Sequence, residues 1–189
     1  AISSARIQVY FIDNEDYFRR KQIARDTDGK FFEDNGQRAI FFARGVLETV
    51  KKLRWAPDVI HCQGWISHLV PIYLKKAYNG DPIFSGSKIV TSLYGEIADE
   101  RFSPSFKDNI LFGGIKPADV SLLDSPTGIN LAKTAALYSD GVIFGDKDVD
   151  PELAKFCQER SIQTLPFNGE SIDSGRYIEE YDDFYQQLQ

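Results

Sequence analysis

The sequence predicts an α/β fold built on a doubly wound, mostly parallel β-sheet with helices on both of its faces. Two observations predict it. Short apolar runs alternate along the chain with longer stretches whose apolar residues recur at helical spacing. The short runs are apolar on both faces, as strands covered from both sides must be. A chain of 189 residues is long enough for one domain with a sizeable core.

The elements follow in order. Arg6 to Asp13 reads as a strand over 6–12, because Ile7, Val9 and Phe11 alternate with Tyr10 and Ile12. Asp13 and Asn14 end it, and Glu15 to Lys21 suits a short helix. Asp34 stands as the N-cap of a helix running to Leu53, with Lys51, Lys52 and Arg54 at the negative end of its dipole. Asp58 to Cys62 is a buried strand, broken by Gly64 and Trp65. From Ile66 a helix carries Leu69, Val70, Ile72, Tyr73, Leu74 and Ala77, with Pro71 in its first turns. Lys88 to Leu93 is the next strand, so that strand, helix and strand make one βαβ unit. A long Pro- and Ser-bearing loop from Tyr94 to Leu111 precedes a helix over Thr127–Ser139 and a strand over 142–145. A helix over Glu152–Ser161, a strand over 163–166 and an amphipathic helix over Gly175–Leu188 complete the chain.

Composition narrows the function. A net charge of −6 argues against a broad nucleic-acid footprint, and no apolar run has the length of a membrane span. Cys62 and Cys157 are the only cysteines, which suits a reducing cytoplasm better than a disulfide framework. His61 and His68 are the only imidazoles, and their spacing across a strand-to-helix change is not that of a metal site.

Open parallel sheets bind ligands beyond the carboxyl ends of their strands. The candidate substrate-binding residues are therefore His61, Gln63, Trp65, Ser92, Tyr94 and Asn168, expected to line one cleft. His61 at a strand end is either a packed core residue or a ligand contact. Trp65 is either a core plug, which the apolar run around it favours, or a stacking platform for a ligand. No catalytic residue is assigned.

The segment Pro57 to Lys75, P-D-V-I-H-C-Q-G-W-I-S-H-L-V-P-I-Y-L-K, resembles P-D-V-(V/I)-H-x-H-D-W-H-(T/A)-G-L-x-P of bacterial glycogen synthases and plant starch synthases. Further matches run along the chain. Asp34, Asn35 and Arg38 fit that family's Y-x-D-N-x-x-R-F, with Phe32 for its tyrosine. Ile129, Asn130, Lys133 and Asp140 fit a helix–strand motif, and Asn168 and Gly169 fit its L-N-G.

The resemblance implies the ADP-glucose type of synthase, glycosyltransferase family five. It implies that residues 1–189 are a partial N-terminal domain, the Rossmann-like half of a two-domain B-type glycosyltransferase fold. The family's first strand and phosphate-gripping loop would precede this stretch, and a second Rossmann-like domain would follow it. The implied reaction moves glucose from a nucleotide-sugar, ADP-glucose ahead of UDP-glucose, to the non-reducing end of an α-1,4-glucan such as glycogen or maltooligosaccharide. No other cofactor or metal is implied. Asp34, Asn35, Arg38 and Lys133 become second-line ligand candidates, with helix capping and surface pairing as their alternative roles. The departures fall on polar positions: Gln63, Gly64, Ile66 and Leu93 stand where the family carries histidine, aspartate, histidine and histidine. Leucine cannot donate a hydrogen bond to a sugar. Two readings follow: an enzyme domain inactive by itself, or a non-catalytic glucan- or partner-binding module of the same fold.

Overall fold

The computed structural model describes residues 6–188. Four strands form one parallel sheet in the order β1-β2-β3-β4: β1 (Val59–Gln63), β2 (Lys88–Leu93), β3 (Gly141–Phe144) and β4 (Gln163–Leu165). Each lies within a residue of its expected bounds. The strand order follows the chain, without reversal among the described strands. The register sets His61 opposite Val90, Gln63 opposite Ser92, and Ser92 opposite Ile143.

Alternation along β2 separates two layers. Ile89 joins the large core under the helices that link β1 to β2, and Leu93 joins a second cluster with Ala132, Val142, Leu153 and Phe156. Val90 points the other way, with Ile143 of β3, against Phe184 and Leu188 of the C-terminal helix α8 (Tyr177–Gln187). The sheet is thus covered on both faces, as its doubly apolar strands require.

The expected strand over 6–12 does not join this sheet. Ile7, Val9, Tyr10 and Phe11 are exposed, Phe11 at 87%. The segment runs along α2 (Asn35–Leu53) instead, and a 680 Å³ apolar groove opens between Tyr10 and Ile12 on one side and Phe42, Val46 and Trp55 on the other. An apolar alternating run states what a segment can bury, but a strand also needs a neighbouring edge to satisfy its backbone. The short helix α1 (Glu15–Phe18) follows, capped by Asn14, whose Oδ1 accepts from the backbone of Asp16 and Tyr17.

The helix expected from Ile66 is irregular. A 3₁₀ turn over Trp65–Ser67 leads to α3 (Val70–Ile72), which passes directly into a π-helical turn over Tyr73–Ala77 closed by Tyr78 N–H donating to Tyr73 O. Pro71 sits at the start of α3, where its missing N–H leaves nothing unpaired. The long loop contains α4 (Phe106–Ile110), and a 3₁₀ stretch over Pro117–Asp124 follows it. Then come α5 (Gly128–Leu137), capped by Thr127, α6 (Pro151–Glu159), capped by Asp150, and α7 (Gly169–Ser174).

Candidate functional site

The carboxyl ends of β1 and β2 bring His61, Gln63, Ser92 and Tyr94 together. In adjacent parallel strands register partners point to the same face; His61 pairs with Val90 and Gln63 with Ser92, so His61, Gln63 and Ser92 all lie on the face that carries α8. The His61 imidazole is held between two hydroxyls, with Nε2 2.7 Å from Ser92 Oγ and Nδ1 2.6 Å from Tyr185 Oη. A neutral ring serves both, one nitrogen donating and the other accepting. Burial pushes the His61 pKa down to about 4, so the ring is neutral at pH 7. Tyr181, one turn before Tyr185 on α8, lies 5.8 Å from the imidazole, ring centre to ring centre. The Tyr94 ring packs against Gly145: a Cβ there would stand 2.3 Å from the tyrosine ring, so a side chain at 145 would displace it. Gln63 is exposed beside this cluster.

Sequence reasoning missed Tyr181 and Tyr185. Their signal was present in the amphipathic pattern of α8, whose Tyr181 and Tyr185 are four residues apart and so share one face.

The remaining candidates take other places. Trp65 is 3% exposed and packs among Phe31 and Phe102, so it is a core plug and offers no face to a sugar. Asn168 caps α7, its Oδ1 accepting from Ser171 N–H at 3.2 Å. It follows β4, whereas His61 lies on β1, at the opposite margin of the described sheet. Three interstrand steps, about 14 Å, separate those margins. The expectation that His61 and Asn168 line one cleft is therefore corrected.

Asp34, Asn35 and Arg38 clamp the N-terminal segment onto α2. Asp34 occupies the N-cap position without capping; Arg20 grips its carboxylate in a two-pronged pair at 2.5 and 2.7 Å. That guanidinium holds the Asp34 carboxyl below the usual carboxylate range. Arg38, 3% exposed, donates to the carbonyls of Tyr17 and Ile23 and to Asn35 Oδ1, while Asn35 donates to Ala24 O. Lys133 pairs with Glu152 and lies over the Phe156 ring. Asp140 accepts from Ile89 N–H at 2.8 Å and pairs with Lys75 at 2.9 Å, pinning the start of β2.

At Gly64, Ile66 and Leu93 the environment is apolar or backbone-determined. Leu93 is fully buried in the second cluster, and half-buried Ile66 packs against the first. Gly64 has φ 77° at the exit from β1, a conformation glycine adopts without strain. Glu96 Oε2 accepts from Trp65 N–H at 3.4 Å across this turn. A cavity of only 10 Å³ lies here, bounded by Trp65, His68, Tyr94, Glu96, Gly128 and Asp150.

A parallel sheet covered by helices on both faces defines an α/β domain. The family model of the starch synthase catalytic domain matches residues 1–162. The chain belongs to that family. The glycogen synthase of Clostridium perfringens (strain 13 / Type A) is 33% identical over 164 residues, covering 87% of this chain and 31% of that protein. The glycogen synthase of Chlorobium limicola is 30% identical over 167 residues, covering 78% of this chain and 32% of that protein. The catalytic domain of Starch Synthase IV from Arabidopsis thaliana, solved with ADP and acarbose, shares the fold with a TM-score of 0.56 at 16% identity, covering 74% of this chain and 31% of that one. The chain thus spans about a third of the length of these relatives.

Proposed function

We propose that this domain binds α-1,4-glucan and does not itself transfer glucose. One observation carries the reading. At the end of β2, where the family resemblance implies a histidine, Leu93 is fully buried in apolar contact. Transfer with retention needs preorganised donors at the developing charge and the leaving diphosphate. Leu93 and Ile66 supply none, and both ring nitrogens of His61 are occupied within the domain. Removing one such donor costs about 3–4 kcal/mol of barrier, or roughly a hundred- to thousand-fold in rate. What remains at the strand ends and on α8 beside them is an amide and two phenols: Gln63, Tyr94 and Tyr181. These are neutral groups suited to sugar hydroxyls.

The family relationship supports glucan as ligand, and the ADP and acarbose bound by the Arabidopsis relative support a nucleotide and a glucan as the ligands of a complete enzyme. For the longer protein of which this domain would be part, ADP-glucose is the proposed donor. A cytoplasmic setting is proposed from the two free, buried cysteines; burial pushes the Cys62 thiol up to about 12, leaving it unreactive.

The test is double. Incubated with labelled ADP-glucose or UDP-glucose and glycogen, this chain should incorporate no label. Calorimetric titration with maltoheptaose should show saturable binding, with Kd on the order of 1 mM. Measurable incorporation would refute the non-catalytic reading, and absence of binding would refute the glucan.

A further inference from the structure

The extended segment from Arg6 to Ile12 takes no part in the site described above. Its even-numbered side chains Gln8, Tyr10 and Ile12 line the 680 Å³ groove along α2. Its odd-numbered ones, Ile7, Val9 and Phe11, are 48%, 54% and 87% exposed. Among the described residues, no backbone group from Gln8 to Asp13 has a backbone hydrogen-bond partner. An extended run with open N–H and C=O groups and an apolar face is a template for another strand.

Area and pattern say what fits it. Ile7, Val9, Tyr10, Phe11, Leu53 and Trp55 are 40–87% exposed. Apolar patches of this size mark interaction surfaces. Covering this one removes area on the order of the 800 Å² that each partner gives to a standard interface. In an antiparallel pair, opposite residues share a face. Two identical copies of 6–12 paired about Val9 set Val9 against Val9, Ile7 against Phe11 and Gln8 against Tyr10. Each outward apolar residue then meets another, and each groove-side residue meets a groove-side one. The contact is the same for both copies and closes on itself. Charge agrees, because the pairing lays Arg6 of one copy beside the end of the other, where Asp13 stands. A lipid surface fits less well. Among the described residues lining the groove only Arg6 is cationic, and anionic headgroups repel a chain of net charge −6.

We propose that two copies of this chain associate about a two-fold axis at Val9, through antiparallel pairing of residues 6–12. The pairing satisfies the open backbone and sets the two Ile7–Val9–Phe11 rows side by side. It brings the groove rim at Leu53 and Trp55 against the partner. The association stands independently of the glucan reading.

Sedimentation equilibrium on this chain is the test. Between ~1 and ~100 μM the average mass should rise from one chain to two, since interfaces of this size hold in the micromolar range or tighter. Val9→Lys sets two like charges opposite each other and should weaken the dimer tenfold or more. Val9 is exposed, so that variant should keep the parent's far-UV spectrum and urea midpoint. Cysteine cross-linking checks the register. In Val9→Cys each thiol faces its own copy within disulfide reach, and oxidation should give a linked dimer. In Gln8→Cys the two positions are diagonal neighbours at about 7–8 Å, beyond that reach, and should stay unlinked. Cys62 and Cys157 are buried and do not confuse the result. A chain that stays monomeric over the whole range overturns the proposal. A dimer that Val9→Lys leaves intact overturns it too, as does equal cross-linking at 8 and 9. Growth beyond two copies would show an open contact and overturn the two-fold. If Val9→Lys fails to fold, the two cysteine variants decide.

Discussion

At the residue scale, motif matches located important side chains more reliably than they assigned their work. Asp34, Asn35 and Arg38 were legible as a cluster, but whether they face a ligand or a neighbouring chain segment depends on where residues 15–25 run, and no spacing rule gives that. The structure spends all three on that segment. Arg38 alone satisfies two backbone carbonyls and an amide oxygen from inside the fold. Arg38→Ala would strand those acceptors, at a cost of about 2–4 kcal/mol. The expected result is a lowered urea midpoint together with faster proteolysis between Tyr17 and Ile23. Arg38→Lys should recover little of either, because an ammonium cannot reproduce the fork that spans these acceptors. Trp65 makes the same point from the apolar side: tryptophan suits a sugar platform and a core equally, and only Phe31 and Phe102 closing over it decide for the core.

At the scale of elements, the four strands of the sheet were readable because burial on both faces writes an unbroken apolar run. The run over 6–12 looks the same in sequence but finds no described strand edge, and lies exposed along α2 instead. The π-helical turn at Tyr73–Ala77 was not readable either, since one extra residue per turn leaves helical periodicity almost unchanged over so short a span. Helix α8 was legible as amphipathic, but its target was not. It covers the sheet face formed by Val90 and Ile143, and Phe184 and Leu188 reach down to Gly141, where a Cβ would lie within 2.9 Å of both. Phe184→Ala should therefore cost about 3–5 kcal/mol, as for a fully packed aromatic. Tyr185→Phe keeps the packing and removes only the hydroxyl on His61, for about 1–3 kcal/mol. Urea unfolding should rank the two in that order. Hydrogen exchange should show β2 and β3 losing protection in Phe184→Ala, while equal midpoints for the two variants would deny α8 its place as the second layer.

At the scale of the whole molecule, the buried histidines make stability depend on pH. Unfolded, both have ordinary imidazole pKa values near 6.5; folded, burial lowers both to about 4. Between those values the unfolded chain binds protons that the folded chain refuses, so stability falls as pH falls. The contribution is complete above about pH 7 and is lost on the way down to about pH 4, with a limiting slope of about 1.4 kcal/mol per pH unit for each histidine. The carboxylates act in a lower window. Asp34, Asp81 and Asp119 have folded pKa values below the ordinary one, held down by Arg20, by the Ile83 backbone and by the Lys116 backbone respectively. Their stabilisation is present above an unfolded carboxylate pKa near 3.9 and disappears only below it. The interval from pH 7 to 5 therefore isolates the histidines. Urea midpoints measured across it should decline steadily. His61→Gln and His68→Leu should each remove about half of the slope, and the double variant should be nearly flat. A parent midpoint that does not change between pH 7 and 5 would mean that the two imidazoles are protonated as readily in the folded domain as in the unfolded chain. In that case neither is held as a neutral ring by its burial.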